Sequence, residues 1–337
     1  MMAASRTSCS LGGVVPLDPR PRQLSDGEIS AYMALLHLPR EAVAEPSPKA
    51  LASLQQAHLD NVSYENLDLH CGLGGTPRAP PGLDPHLSLE RVVAQRRGGY
   101  CFIIVDAFAS LLTSLGFVVS MHNAGCGEIP LPLEKWGNHV VLLVHFAGPS
   151  PFCYVADVGL GDGPSSPFRL EAQCWEEGGF TYSLKQLDQE GHWRFTHDPK
   201  GSFACFEVNL STSAAGAHEF SAYHKHYYQS SDSSYRKSGV VALRRGVDEG
   251  NTGILFKLHN LTFTTLKLTS KNTESSVRRV ANRAEWLGIL QVDFNLPLED
   301  LASDEHEALW DAARSHQLQR DGTAAAKEAA TANVGAE

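Results

Sequence analysis

The 337-residue sequence contains no uninterrupted apolar run of 18 residues, the length at which a membrane-spanning helix becomes a candidate. We therefore expect no membrane-spanning segment. The sequence also lacks an excess of positive charge, because 28 Lys and Arg residues against 38 Asp and Glu residues give a net charge of −10. Nucleic-acid backbones bind to basic surfaces, so this balance argues against a general nucleic-acid-binding protein.

Paired cysteines are also missing. The seven cysteines are odd in number, and none stands in a C-x-x-C arrangement. This favours free thiols in a reducing compartment over a disulfide framework. The apolar stretch 10–17 is too short for a secretory signal and contains glycine and proline. We therefore expect a cytoplasmic protein. His224 and His226 form only a weak metal signal without further ligands, so no metal site is predicted.

The chain changes character near Gly116. Residues 1–24 are rich in Ser, Gly, Pro and Arg and are predicted to form an irregular arm. Helical spacing of apolar residues predicts a helical bundle over 25–116. Short β-type runs follow and predict an antiparallel sheet or barrel over 117–230, into which Phe206 and segment 217–228 insert as a helix.

The last hundred or so residues are expected to form one further unit followed by a disordered tail. Residues 231–320 form the last predicted unit, and within it segment 275–290 is predicted to be a helix. Residues 321–337 are rich in Ala, Gly and Thr without apolar periodicity, and we expect them to be disordered. No internal repeat is present.

The most informative segment is 97–101, RGGYC, which leads into an apolar run ending near Gly116. Two glycines allow a close backbone approach, and the run is apolar on almost every face, as in a buried helix. Cys101 would then lie at the N-terminus of that helix, where the macrodipole favours a thiolate. Cys101 is thus a candidate nucleophile, although most buried cysteines only fill space.

A predicted hairpin supplies the partners of that thiol. Strands 139–146 and 152–158 flank a turn sequence, and symmetric pairing about residue 148 places His139 opposite Asp157. A shift of two residues would make the two side chains diagonal neighbours on one face, whereas a shift of one would separate them. An imidazole beside a carboxylate gains a fixed tautomer and a stabilised imidazolium.

These residues leave alternatives open. His139 could be an ordinary residue at the sheet rim, Asp157 could simply end a strand, and His145 and Asp162 are nearby substitutes of the same types. A Cys–His–Asp arrangement also serves thiol proteases, transglutaminases and acyltransferases alike, because all three use an activated thiol.

Four segments resemble the arylamine N-acetyltransferase family. Segment 97–101 resembles its nucleophile motif, and segment 63–67 (SYENL) followed by 70–72 (HCG) is similar to its P-F-E-N-L region. Two further segments, 137–144 (GNHVVLLV) and 154–161 (YVADVGLG), resemble the strands that carry its histidine and aspartate. The resemblance covers roughly residues 25–295 and includes weaker similarity towards the C-terminus.

The resemblance implies an α+β fold with an N-terminal helical bundle, a central antiparallel β-barrel and a C-terminal α/β lid around a cysteine-protease-like core. It also implies a Cys101–His139–Asp157 triad that transfers an acetyl or related acyl group from acetyl-CoA to an arylamine, arylhydrazine or arylhydroxylamine. By the same resemblance Gly137 and Ser230 would contact the coenzyme. Tyr64, Phe102 and Leu160 are the predicted acceptor contacts.

The sequence departs from the family pattern after the cysteine. Ile103 and Val105 stand where the family usually has Glu or Gln and Asn. Two outcomes are open: either Arg97 pairs with Glu65 or another acid, or the site is looser than in the family. Tyr64 and Leu160 stand where many relatives carry Phe, which predicts an altered acceptor pocket.

Asp162 and Pro164 also depart from the family pattern, because some relatives have a basic and an aromatic residue there. Two other functions stay open: a thiol amidohydrolase or peptidase, which would use the same triad, and a catalytically impaired protein that binds CoA or aromatic ligands, which only Ile103 and Val105 support. The choice among acetyl, propionyl and malonyl donors is also open.

Overall fold

The computed structural model describes residues 21–334 except 73–77, 79–81, 190, 212, 215, 249–251 and 270–272. Most of the predicted N-terminal arm lies outside these residues. The α-helices are α1 (Asp26–Leu35), α2 (Pro48–Asn61), α3 (Pro85–Leu89), α4 (Cys101–Ser114), α5 (Ser221–Gln229), α6 (Ser234–Ser238), α7 (Arg283–Val292) and α8 (Ser303–Val334). None of the helices in this part of the chain has the length and apolar character needed to cross a membrane.

Helix α4 lies at the centre of the N-terminal helices. Its first twelve residues, 101–112, are all buried, as the apolar run predicts. Helices α1 and α2 begin at serine N-caps, with Ser25 accepting a hydrogen bond from Glu28 N and Ser47 from Ala50 N. Helix α3 continues into a π-helical turn, Glu90–Ala94, directly before the glycine turn that precedes α4.

The middle of the chain folds into an antiparallel eight-stranded sheet. Its strands are β2 (Val118–Gly127), β3 (Trp136–Phe146), β4 (Phe152–Ala156), β5 (Phe168–Arg169), β6 (Gln173–Glu177), β7 (Phe180–Gln186), β8 (His192–Thr196) and β9 (Cys205–Asn209), in the order β5-β4-β3-β2-β9-β8-β7-β6. The sheet curls, so Phe168 of β5 and Trp175 of β6 bring their ring centroids within 5.0 Å although these edge strands are not neighbours in the hydrogen-bonded order. The predicted barrel is therefore an open one, in which side chains rather than a continuous hydrogen-bonded sheet join the two edges around an apolar core.

A second sheet has five strands and a core of its own. Its strands are β1 (Tyr64–Glu65), β10 (Val241–Val247), β11 (Gly253–His259), β12 (Thr262–Leu268) and β13 (Thr273–Arg279), in sequential order. Trp286 and Leu290 of α7 and Leu309 of α8 pack into the core of this unit. Because β1 comes from the N-terminal region, the predicted α/β lid includes a strand of the first unit. The domain boundaries stay predictions.

Three details of the predicted elements are wrong. Residues 275–279 of segment 275–290 belong to strand β13, because pairing with β12 overrides their local preference, and α7 begins only after the Asn282 N-cap. The tail expected to be disordered is helical up to Val334, since its alanine-rich sequence has high helix propensity without any apolar stripe. Residues 335–337 lie outside the described residues. The helical insertion is confirmed by α5, but Phe206 belongs to strand β9.

Candidate active site

Cys101 is the first residue of α4, and the turn before it presses against β1. A Cβ atom on Gly98 would lie 1.7 Å from the carbonyl oxygen of Ser63, so only glycine fits there. Glu65 N donates to the Gly99 carbonyl, and Tyr100 is the extended N-cap. The tight turn thereby sets the thiol at the N-terminus of a buried helix, where backbone N–H groups and the macrodipole favour negative charge.

His139 and Asp157 meet on the adjacent sheet. His139 Nε2 lies 2.8 Å from Asp157 Oδ2, and Asp157 Oδ1 accepts a 2.7 Å hydrogen bond from Gly159 N. Both side chains are almost fully buried. A carboxylate held by a backbone N–H and directed at one imidazole nitrogen orients the ring and stabilises its charged form.

The hairpin register differs from the symmetric pairing. Leu142 pairs with Ala156 and Phe146 with Phe152, so the strands are symmetric about residue 149. His139 and Asp157 are therefore diagonal neighbours on the same face, the second arrangement that the sequence allows. The symmetric register about 148 was wrong because the turn extends further on its C-terminal side: Phe146 pairs with Phe152 rather than with Ser150, which moves the centre of the hairpin by one residue.

A β-bulge distorts strand β3 immediately before His139. Ala124 pairs with His139, but the next residue, Gly125, pairs with Trp136, which leaves Gly137 and Asn138 as extra residues. The Asn138 side chain bonds the backbone N–H and carbonyl of Cys126 at 2.7 and 2.9 Å. Bulges commonly redirect side chains next to active sites. Here the bulge brings the Asn138 carbonyl within 3.7 Å of Cys101 Sγ.

The pKa of His139 reflects opposing effects. Burial lowers it, but the charge of Asp157, the hydrogen bond to that carboxylate and the neighbouring Cys101 outweigh burial and raise the pKa to about 10. The imidazole thus keeps its proton through neutral pH. A protonated imidazole beside a thiol is the arrangement that an activated cysteine nucleophile requires.

Cys101 and His139 both line a cavity of about 240 Å³. Tyrosines, apolar side chains and small polar groups from all three units form its walls: Tyr64, Cys101, Cys126, Lys135, Asn138, His139, Gly159, Leu160, Ser202, Phe203, Tyr227, Ser234, Tyr235, Ser238, Val241 and Leu243. A larger cavity of about 600 Å³ adjoins it and shares Lys135, Asn138, Tyr227 and Ser234. We call these the inner and the outer cavity.

Two of the three predicted acceptor contacts line the inner cavity, and the third does not. Tyr64 and Leu160 line the inner cavity, and the hydroxyl of Tyr64 contacts that of Tyr235. Phe102 does not line it. Its ring is fully buried and stacks on Phe220 and Tyr227, because its side chain points to α5 rather than to the thiol.

The predicted coenzyme contacts lie near the outer cavity without lining it. Gly137 has a φ of +90°, and a Cβ atom on it would lie 2.6 Å from the ring of Tyr223, which is a wall residue of the outer cavity. Ser230 caps the end of α5, and its Oγ accepts a hydrogen bond from Asp232 N. Their roles stay predictions.

The expected pairing of Arg97 with Glu65 is confirmed. Arg97 is fully buried and lies 3.2 Å from both Glu65 and Asp68 and 2.9 Å from Asp300. Arg91 joins the same network, at 2.7 Å from Glu65. The network anchors the segment before Cys101 although Ile103 and Val105, which follow the cysteine, are apolar.

The residues that differ from the family pattern after Cys101 and after Leu160 are buried. Ile103 and Val105 pack in the core, and Val105 Cγ2 would lie 2.9 Å from a Cβ atom on Gly159. Asp162 is buried and ion-paired with Lys257 at 2.9 Å, and it holds the hydroxyl of Ser202 at 2.6 Å. Asp162 therefore supports a wall residue of the inner cavity rather than lining it.

Several wall residues were not predicted. Asn138 could have been suspected from its place beside His139, but Cys126, Tyr227 and Tyr235 lie in segments that carry no local signal. Burial raises the pKa of the Cys126 thiol and of both tyrosines well above their usual values, so all three stay neutral. Within the described part of the chain, no group of three or more His, Cys, Asp or Glu residues could hold a metal ion.

Comparison with known proteins identifies the family. An arylamine N-acetyltransferase of Mycobacterium bovis is 33% identical over 150 residues, which cover 43% of this chain and 49% of that protein. An arylamine N-acetyltransferase / N-hydroxyarylamine O-acetyltransferase of Salmonella typhimurium is 30% identical over 188 residues, or 54% and 62% of the two chains. The chain thus spans about half to three-fifths of the length of these curated relatives.

The solved structure of Mycobacterium marinum arylamine N-acetyltransferase in complex with CoA has the same fold. It matches with a TM-score of 0.67 and 19% identity over 84% of this chain and 99% of that one. The helical unit, the curled sheet and the buried thiol at a helix start define a protein of the N-acetyltransferase class. The family model described as N-acetyltransferase matches residues 49–302, and the chain belongs to this family.

Proposed function

We propose that this protein is an arylamine N-acetyltransferase that uses acetyl-CoA as donor and Cys101, His139 and Asp157 as its catalytic residues. The observation that carries the proposal is the 2.8 Å contact between His139 and Asp157 beside a cavity that also contains the Cys101 thiol. The named relatives act as arylamine N-acetyltransferases, which supports the same donor and acceptor classes here.

The first half-reaction acylates the cysteine. The Cys101 thiolate attacks the thioester carbonyl of acetyl-CoA, and a new S–C bond forms at the acetyl carbon. Backbone N–H groups at the start of α4 stabilise the oxyanion. The bond to the coenzyme sulfur then breaks, and the departing CoA thiolate takes the proton that His139 holds.

The second half-reaction transfers the acetyl group. The amine nitrogen attacks the acetyl-cysteine carbonyl while the now neutral His139 takes a proton from the nitrogen. The C–S bond breaks, and the Cys101 thiolate and the His139 imidazolium are restored. Asp157 holds the ring throughout and stabilises its charged form. Two half-reactions through one covalent state require ping-pong kinetics.

The two cavities suit the two substrates. The inner cavity of about 240 Å³, with Tyr64, Leu160 and Phe203 in its walls, suits a flat aromatic amine. The outer cavity of about 600 Å³ opens from it and suits the longer donor, whose thioester would reach Cys101 past the shared residues Lys135 and Asn138. Gly137 and Ser230, which flank the outer cavity, are the proposed coenzyme contacts.

The place of the reaction is proposed to be the cytoplasm. The described cysteines are all free, and a thiol nucleophile must stay reduced in order to react.

Incubation with acetyl-CoA alone tests the covalent step. Mass spectrometry should find one acetyl group on the peptide that contains Cys101, and a simple arylamine should remove it with formation of the N-acetyl product. Double-reciprocal plots against both substrates should be parallel. Release of free acetate or cleavage of peptides at the same rate with and without amine would instead show a hydrolase.

Two cysteine variants complete the test. Cys101→Ala should abolish turnover, whereas Cys174→Ala should retain it because Cys174 is an exposed thiol on β6. Binding of CoA or arylamine by the wild-type protein without any turnover would contradict the proposal and favour a non-catalytic binding protein.

A further inference from the structure

Strand β13, the last strand of the five-stranded sheet, has a free edge. It pairs with β12 on one side, and no strand of the described chain pairs with its other side. Residues 274–279 are all exposed, so both faces of the strand are open to solvent. A free edge presents backbone N–H and C=O groups that can pair with a further strand.

The strand lacks several features that usually protect a sheet edge. Its pairing with β12 runs over seven residues without a bulge, and it contains neither proline nor lysine. Val277, near its centre, is 63% exposed. Proteins commonly shield an edge with proline, lysine or a bulge, or keep the edge strand very short. This edge is therefore regular and long enough to accept another strand.

The backbone groups that point to the free edge follow from the register. The N–H of Val280 donates to the carbonyl of Leu261 at 2.8 Å, which makes these two residues a hydrogen-bonded pair. Because backbone groups alternate in direction along an antiparallel strand, the even-numbered residues of β13 also point theirs to β12. The odd-numbered residues, among them Ser275, Val277 and Arg279, point theirs to the free edge.

A second copy of β13 fits this edge when the two strands pair antiparallel about a twofold axis at Ser276. Ser275 then lies opposite Val277 of the second copy, so outward-pointing backbone groups meet outward-pointing ones on both strands. A register shifted by one residue would set outward-pointing groups against inward-pointing ones and lose the hydrogen bonds. The backbone of β13 is therefore compatible with pairing to itself.

The charges on the strand select this register. Glu274 lies opposite Arg278 of the second copy, and the twofold axis repeats this pair at the other end of the interface. Opposite charges directly across an antiparallel pair stabilise it. An axis at Ser275 or Val277 would keep the hydrogen bonds but remove both charge pairs. Only the axis at Ser276 therefore combines hydrogen bonding with charge complementarity.

The side chains are free to make these contacts. Arg278 contacts Glu285 of α7, but its side chain is 45% exposed, and a guanidinium has five N–H donors. On the opposite face of the sheet, the two copies of Val277 become diagonal neighbours across the axis, so each covers part of the other's exposed surface.

We propose that β13 is the interface of a homodimer in which two copies of the chain join their five-stranded sheets into one continuous antiparallel sheet. The same strand serves both copies, as in other twofold interfaces. An interface formed by one strand from each copy is small, so we expect a dissociation constant in the micromolar range. None of the proposed catalytic residues lies on β13, and the inference does not rest on the proposed function.

Sedimentation velocity of the full-length protein at increasing micromolar concentrations tests the dimer. Wild type should change from monomer to dimer. Glu274→Arg and Arg278→Glu each place like charges opposite each other at both ends of the interface, and each should weaken association about 30-fold. The matched control is Arg40→Glu, which reverses an exposed arginine of the first unit that pairs with Asp26. It should dimerise like wild type.

An equimolar mixture of the two charge-reversed variants tests the register. In a mixed dimer the two substituted positions face each other, and the unsubstituted Glu274 and Arg278 also face each other. Both opposite-charge pairs are thereby restored, so the mixture should dimerise with nearly the affinity of wild type although neither variant does so alone.

A further variant, Val277→Lys, leaves both charge pairs in place but sets two ammonium groups diagonally across the axis, and it should also weaken the dimer. Circular dichroism checks that each variant is folded, and if a charge-reversed variant is not, the affinity of Val277→Lys decides. The proposal is overturned if wild type stays monomeric, if the folded variants dimerise like wild type, or if the mixture does not restore the dimer. Acetyl transfer is measured separately, so failure of the proposed function would not affect this result.

Discussion

Gly159 lies directly against Cys101, and a Cβ atom placed on this glycine would come within 2.8 Å of the cysteine Cβ and 2.9 Å of Val105 Cγ2. The segment that carries Asp157 thus packs without a gap on the first turn of α4. The sheet and the helix can bring the carboxylate, the imidazole and the thiol together only because this residue has no side chain.

The first prediction concerns Gly159→Ala. The added methyl must displace the start of α4 or the Asp157 segment, which costs about 1–3 kcal/mol of stability and misplaces the thiol. We expect kcat/KM for acetylation to fall about 100-fold. Gly288→Ala is the control, because nothing lies within 4 Å of its Cβ position in α7 and alanine there should stabilise the helix. Equal activity of the two variants would refute the packing argument.

A second prediction concerns Asp157→Asn. Without the carboxylate charge, burial dominates the pKa of His139, and the imidazole loses its proton at neutral pH. We expect kcat to fall on the order of 10³–10⁴-fold, as when the orienting acid of a comparable triad is removed. The rate of Cys101 alkylation by iodoacetamide should fall at neutral pH as well. An unchanged pH profile of alkylation would show that Asp157 does not influence the reactivity of Cys101.

The same group predicts how stability depends on pH. His139 titrates near 6.5 in an unfolded chain but near 10 in the folded protein, so the folded state binds the proton more tightly. The resulting stabilisation is complete below pH 6.5 and is lost as pH rises towards 10. Urea unfolding at pH 6, 8 and 10 should show this fall for wild type, and Asp157→Asn should lack it. A parallel fall in both proteins would place its origin elsewhere.

A fourth prediction concerns the buried ion network before Cys101. Arg97→Met leaves Glu65 and Asp68 short of a partner in the core, so the free energy of unfolding should fall by roughly 3–5 kcal/mol. Arg40→Met removes an exposed pair with Asp26 and should cost about 0–1 kcal/mol. Denaturant unfolding measures both. A small loss for Arg97→Met would mean that the network contributes little to anchoring the turn.

The fifth prediction concerns the donor side. Gly137 and Gly116 both have a φ near +90°, so alanine at either position strains the backbone by a similar amount. Only Gly137→Ala also pushes the ring of Tyr223 towards the outer cavity. We expect it to raise KM for acetyl-CoA about tenfold, whereas Gly116→Ala should lower only the melting temperature. Equal KM values would remove Gly137 from the proposed coenzyme contacts.

The sequence predicts best where one local pattern determines the structure. The apolar run after Cys101 predicts a buried helix because no face of it is polar. The hairpin pattern predicts that His139 and Asp157 lie on one face of the sheet, and the observed register differs from the symmetric one by two residues. The bulge at Gly137 and Asn138 could not be predicted, because it arises from the pairing of β3 with β2. Tyr235 could not be predicted as a wall residue, since only the tertiary fold brings α6 to the thiol.

The two-residue strand Tyr64–Glu65 pairs with Leu243 and Ala242 of β10, so a peptide from the first unit forms an edge of the last one. Tyr64 and Leu243 also line the inner cavity together. A hybrid enzyme that takes its C-terminal third from a relative would therefore combine a wall from each parent. The acceptor preference of the hybrid should then depend on how well the two cavity walls fit each other, rather than on which parent supplied either wall.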